Sequence, residues 1–205
     1  MFDIELSHKM VTSVVDSDCA IWDGMSSLIE FCSEHESWDG WNALRELDFE
    51  TDSLTLTNWM TQLLITEPPP KNIKAYWFGL FNPVQNGTTT CGLYAAGAVT
   101  FDPDDESFEW ACGPAYFPEG RYATSMVLDG IYRKVSTANG FVPSYGEYVL
   151  CLGYAGLIVK YLAATIKCEL WLDSCATRAL AVGFDSGDGM LVGSVTRRGW
   201  NPRAA

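Results

Sequence analysis

Residues 148–159, YVLCLGYAGLIV, form an uncharged run of twelve with apolar side chains all round, and no other stretch restricts the fold as much. A helix that is hydrophobic on every side has to be buried on every side. Ser144 and Glu147 stand just ahead of it in the S-x-x-E spacing of a capping box, in which each residue satisfies an amide that the first turn leaves unpaired. The pattern predicts a helix over 145–165. Twelve residues before Lys160 are too few to cross about 30 Å of hydrocarbon, so the run reads as a central core helix and no membrane partner is expected. Gly153, Ala155 and Gly156 leave room for neighbours to approach closely.

A helix of this kind needs layers around it. Met25, Leu28, Ile29, Phe31 and Cys32 recur at steps of three and four, which predicts an amphipathic helix over 25–36. Leu56, Trp59, Met60, Leu63 and Leu64 predict a second over 54–65, with Asp52 or Ser53 as its cap. Glu67 and three prolines end it, because proline cannot continue the hydrogen-bond ladder. Residues 73–81 and 91–101 are apolar and aromatic, separate around a turn-rich NPVQNGTTT, and read as two antiparallel strands. Residues 107–112 supply a third, completing a meander. Val127, Leu128, Ile131, Tyr132 and Val135 mark another helix, capped by Thr124 or Ser125 and stopping near Asn139-Gly140. Residues 179–184 and 190–195 flank DSGDG as a hairpin, and RRGWNPRAA reads as a loose tail. Residues 2–22 show no clear period. The sum is an α+β fold, with a mainly antiparallel sheet (meander plus C-terminal hairpin) packed with four or more helices.

At 205 residues the chain is long enough for one sizeable core, so residues 1–205 are expected to form a single domain. Its charge is unevenly spread. Residues 1–70 hold 14 Asp and Glu against Lys9 and Arg45, whereas 71–205 hold 12 acids against 11 bases. Residues 1–70 are therefore an acidic, helix-rich layer within the domain. Such a field repels nucleic acid and attracts cationic proteins. The N-terminal MFDIELSHKM has acids where a secretory signal has bases, so a cytoplasmic location is expected. Seven scattered cysteines without a CxxC pair read as reduced thiols acting as small hydrophobes.

Tests for catalytic and metal chemistry give little. His35-Glu36 lacks the second histidine of HExxH, and Cys32 with His35 is at most half a zinc site. Asp102, Asp104 and Glu106 match three calcium-loop places, but Ser107 stands where that loop needs glycine. No metal, cofactor or catalytic residue is assigned. A carbohydrate-binding or carbohydrate-hydrolysing reading would use Trp38, Trp41, Trp77 and Trp110 as stacking platforms, with Glu106, Glu109 and Glu119 as carboxylates. A scaffold without a dedicated partner is a third reading.

Residues 101–122, FDPDDESFEWACGPAYFPEGRY, crowd acids, aromatics and prolines together. Asp102, Pro103 and Asp104 suit a tight reversal between two strands, since proline presets its own φ and Asx side chains bond the nearby backbone. Trp110, Pro114, Tyr116 and Pro118 suit a stiff connection pinned to the core, and Arg121 suits a nearby carboxylate or a partner's. The segment reads as a structural clasp, with Trp110 and Tyr116 buried and Asp104 and Asp105 exposed.

This clasp, the VLDGIY helix, SYGEYVLCLGYAGLIV and ALAVGFDSGDG together resemble small acidic cytosolic immunity proteins of bacterial polymorphic toxin systems, over residues 73–193. The resemblance implies a protein without catalytic activity that binds a cognate, often basic, toxin and covers its active site. It transfers no catalytic residue and does not extend to the first 70 residues. The expected function is non-enzymatic binding of a cationic protein through Glu30, Glu34, Glu36, Trp38, Asp39 and Trp41. Nothing in the sequence sets the oligomeric state.

Overall fold

A computed structural model of the chain describes residues 3–85, 87–105, 107–136, 145–172, 177–185 and 187–203. Four N-terminal helices, α1 (Ile4–Asp16), α2 (Ile21–His35), α3 (Trp41–Leu44) and α4 (Phe49–Thr66), lead into strands β1 (Ala75–Phe81), β2 (Val84–Gln85), β3 (Thr88–Thr89) and β4 (Gly92–Ala98). Strand β5 (Tyr122–Ala123) and helix α5 (Met126–Ser136) follow. A π-helical turn at Gly146–Cys151 opens α6 (Leu152–Thr165), and α7 (Cys168–Leu172) precedes β6 (Thr177–Phe184), β7 (Gly189–Thr196) and β8 (Gly199–Pro202).

The apolar run lies in the middle, as its composition demands. Gly146–Thr165 is long and apolar enough to cross a membrane, but 72% of that window is buried inside the protein. Helices α1, α2 and α4 pack on one side of α6, and the sheet packs on the other. The glycines explain how close the layers come. A side chain at Gly153 would meet Leu28 Cδ1 at 2.2 Å, and one at Gly156 would meet Val15 Cγ2 at 2.7 Å. Residues of α1–α4 thus share one apolar core with α6 and the strands.

Most sequence-derived elements stand where expected, and the departures have local causes. The cap of α4 is Asp48, whose Oδ1 accepts the Thr51 amide at 3.0 Å. Asp52 and Ser53 instead lie buried one turn inside the helix. Ser125 is confirmed at the start of α5, its Oγ accepting the Leu128 amide at 3.0 Å. Residues 4–16, which show no clear period in the sequence, form α1, capped by Asp3. Ser144, Asn139 and Gly140, which bear on two expected helix ends, lie outside the described residues.

The main sheet runs β5-β4-β1-β6-β7-β8, and β2 and β3 pair separately. The pairs are antiparallel except for β1 and β6, which run parallel with Ala75 opposite Ala179. The expected third strand at 107–112 is corrected: Glu109–Ala111 is a 3-10 turn, and β5 pairs with β4 in that place. The expected loose tail is corrected as well, since β8 pairs with β7 through Val195 opposite Trp200.

Strand alternation gives the sheet two different faces. Tyr76, Phe78, Leu80, Leu180, Val182, Met190 and Val192 join the helical core. Ala75, Trp77, Ala98, Ala179 and Ala181 belong to a second, smaller cluster with Trp110 on the opposite face. Among the described residues no α-helix contributes to that cluster, although His8 of α1 reaches the edge of a groove beside it.

Candidate functional site

Two surface features stand out: the outer row of α2 and a groove on the face of the sheet away from α6. The first follows from helical spacing. While Met25, Leu28, Ile29 and Cys32 turn inward, Asp23, Ser27, Glu30 and Glu34 fall four, three and four residues apart and are all exposed. Among the described residues, Asp23, Glu30 and Glu34 make no ion pair. Trp22, 56% exposed, stands beside the start of the row. It falls in the stretch without sequence period, so helical spacing could not single it out.

The other residues expected to face a partner divide between surface and frame. Asp39 is exposed and Trp38 half-buried. Trp41 is buried, with its ring edge-on to Trp38 at 4.9 Å and its Nε1 donating to the Glu36 carbonyl at 2.9 Å. The Glu36 carboxylate accepts the Tyr145 amide at 3.2 Å, tying α2 to the start of the core helix. Glu36 and Trp41 therefore build the base of this surface, and Glu30, Glu34 and Asp39 form its outside.

Residues 101–122 pack against the sheet and the end of α4. Trp110 and Tyr116 are buried and Asp104 is exposed, while Asp105 is half-buried. Asp102 Oδ1 accepts the Asp104 amide at 3.0 Å, the Asx turn that the sequence implies. The turn reverses the chain into the 3-10 segment, not between two strands. Phe108 then takes a left-handed φ of 54°, which brings its ring to 5.4 Å from Trp77 and 6.2 Å from Trp110. That backbone conformation costs a non-glycine residue about 1–2 kcal/mol, and aromatic packing offsets it.

Downstream, α4 holds the clasp. Tyr116 OH donates to the Glu67 carbonyl at 2.6 Å. The Glu67 carboxylate accepts the Glu119 and Gly120 amides at 2.7 and 2.9 Å, and Trp59 Nε1 donates to the Gly120 carbonyl at 2.9 Å. The residue just before the triproline is thus the anchor of the connection. Pro118 is buried and Pro114 half-buried against this frame. Arg121 is corrected from its expected carboxylate partner: its guanidinium lies 3.9 Å from the Phe117 ring and 4.4 Å from Tyr122, and donates to the Pro118 carbonyl at 2.8 Å.

The clasp covers β1 and leaves β6, β7 and β8 open, which creates a groove of about 1040 Å³. Phe101, Phe108 and Trp110 form one wall, and Thr177, Ala179, Leu191, Ser194 and Asn201 line the sheet side. Lys74, Arg203, Asp102, Asp105 and Asp188 bring charges of both signs. Hydrogen bonds from Ser107 hold the Asp105 carboxyl below its ordinary range, so it is ionised at neutral pH. Of the four tryptophans considered as platforms, Trp41, Trp77 and Trp110 are buried; Trp38 pairs with Trp41 at 4.9 Å and Trp77 with Trp110 at 6.2 Å, and of the four Trp110 alone lines this groove. Glu109 and Glu119 are exposed but do not line it, and Glu106 lies outside the described residues. The groove escapes motif reading because small residues form it. Its sequence signal is the alternation of small with large side chains in ALAVGF.

Two buried polar centres serve the frame. Asp52 Oδ2 accepts from Ser125 Oγ at 2.6 Å and Tyr154 OH at 2.7 Å, while Oδ1 accepts the Met126 amide at 2.7 Å. One carboxylate thereby joins α4, α5 and α6 and sits at the positive N-terminal end of α5. Arg178, fully buried, donates to the Trp171 carbonyl at 2.7 Å, Tyr76 OH at 2.9 Å and the Pro70 carbonyl at 3.2 Å. Cys32, Cys91 and Cys151 are buried free thiols, and burial pushes the Cys32 thiol well up. Among the described residues no group of three His, Cys, Asp or Glu is placed to hold a metal.

No family model, curated protein or solved structure matches this chain, so function has to be read from these surfaces.

Proposed function

We propose that the protein is a non-enzymatic binding protein that engages a cationic protein partner through the outer face of α2. The observation that carries this reading is the row Asp23, Glu30 and Glu34, exposed on one helix face and, among the described residues, in no ion pair. Unneutralised charge of one sign steers an oppositely charged partner and speeds its docking. Trp22 at the head of the row, with Asp39 and the half-buried Trp38 beyond its other end, supplies aromatic anchors of the kind that dominate binding energy. The resemblance to immunity proteins supplies the partner's class, a basic toxin whose active site the acidic face covers.

The test compares the native chain with a D23N/E30Q/E34Q variant and with Trp22→Ala, each used to capture basic proteins at low and high salt. A cationic protein held by the native chain should be released by salt. It should bind the triple variant about tenfold or more weakly. Capture that ignores salt and both variants would end the reading.

A further inference from the structure

The groove beside the clasp has a polar lining that a packed sheet face does not need. Thr177, Ser194 and Asn201 project into it from three adjacent strands, with Ser194 opposite both Ala179 and Asn201 in the ladder. Neighbouring strands lie about 4.8 Å apart, so hydroxyl and amide groups repeat across the floor at a spacing comparable to the width of a sugar ring. The small side chain of Ala179 lets a flat ring come down onto the sheet.

The charges define the ligand further. Lys74 and Arg203 share the groove with Asp102, Asp105 and Asp188. A polyanion or a polycation meets repulsion somewhere along it, whereas an uncharged ligand rich in hydroxyls meets both donors and acceptors. The carboxylates are held in place: Asp102 Oδ1 takes the Asp104 amide and Asp105 Oδ1 takes the Ser107 amide and hydroxyl. The Glu109 and Trp110 amides also face the Asp105 carboxylate, and a carboxylate oxygen can accept more than one donor. In the aromatic wall, Trp110 is only 8% exposed, and among the described residues its Nε1 has no hydrogen-bond partner. An unmet buried donor is uncommon in a protein interior. On the floor formed by β6 and β7 the main-chain groups are spent in the ladder, so an extended peptide could pair only with the edge strand β8.

We propose that this groove binds an uncharged oligosaccharide, its rings against Phe101 and Phe108 and its hydroxyls shared among Ser194, Asn201, Asp102 and Asp105. The site is separate from the acidic row of α2 and does not depend on it.

The full chain would be titrated with short neutral α-1,4-glucan, β-1,4-glucan and β-1,4-linked N-acetylglucosamine oligomers, followed by calorimetry and tryptophan fluorescence. At least one should bind saturably at millimolar concentration or below. Ser194→Phe, which fills the floor, and Asn201→Ala, which removes a polar group, should each weaken it about tenfold, while D23N/E30Q/E34Q leaves it unchanged. Absence of saturable binding by all three oligomers overturns the proposal. So does binding that both groove variants retain in full, or a preference for a charged glycan or an extended peptide over every neutral oligomer.

Discussion

Along β6 and β7, Leu180, Val182, Met190 and Val192 point toward α6, while Ala179, Ala181, Leu191 and Ser194 point away from it. The two sets alternate on the same strands, yet one is sealed and the other only partly covered. Large side chains on the first face fill the space between sheet and helix, so that face is the frame of the fold. Small side chains on the second leave a volume that the clasp fills over β1 and not over β6, β7 and β8. Stability is concentrated on one side of the sheet, and surface that a ligand can use lies on the other.

Substitutions on the two sides should separate in size. Phe78→Ala empties a fully buried position between the sheet and Trp171 and should cost about 3–5 kcal/mol. Chemical denaturation measures this, and a cost under about 1 kcal/mol would mean the helical face is loosely packed. Asp52→Ala leaves Ser125, Tyr154 and the Met126 amide without their acceptor, and should cost about 2–3 kcal/mol. Glu67→Ala releases two exposed amides of the clasp, which water can satisfy, for about 1 kcal/mol. Faster hydrogen exchange at Glu119 and Gly120 should accompany it.

Glu147 offers a test through pH. Burial holds its carboxyl above the ordinary value, so the folded chain binds that proton more tightly than the unfolded chain does. Its contribution to stability is full below the ordinary carboxylate value and is lost as pH rises through the raised value. Glu147→Gln should therefore reduce the fall in thermal midpoint between about pH 4 and about pH 7, and an unchanged profile would remove Glu147 from the account. Smallest of all, Ser194→Phe projects into open groove and should shift stability by no more than about 0.5 kcal/mol. A core-sized penalty there would erase the contrast between the faces.

Legibility in the sequence follows the range of the forces involved. The helix over 25–36 and the core helix could be read because their apolar spacing is local, and the β1–β4 and β6–β7 hairpins because turn residues separate their strands. The 107–112 segment alternates like a strand through Phe108, Trp110 and Cys112, but the Asp102 and Asp105 turns swing Phe108 into a left-handed conformation. GWNP looks like a tail because glycine, asparagine and proline favour turns, and its pairing depends on Trp200 meeting Val195 and packing over Gly193. The parallel pairing of β1 with β6 joins segments about a hundred residues apart and leaves no local mark. Asp52 reads as a cap because a helix start favours aspartate. Its burial depends on Ser125 and Tyr154, which reach it from α5 and α6. On the acidic surface, Glu30 and Glu34 are legible from charge alone. Trp41 and Glu36 turn inward because the indole needs an acceptor and the carboxylate a donor.

The difference between the two faces can be measured directly by relaxation of methyl signals with a soluble paramagnetic chelate. Thr177 and Leu191, which line the groove, should broaden, while Leu180 and Val192, alternating with them on the same strands, should not. Equal protection of all four would show that something covers the face away from α6, and would contradict an open groove.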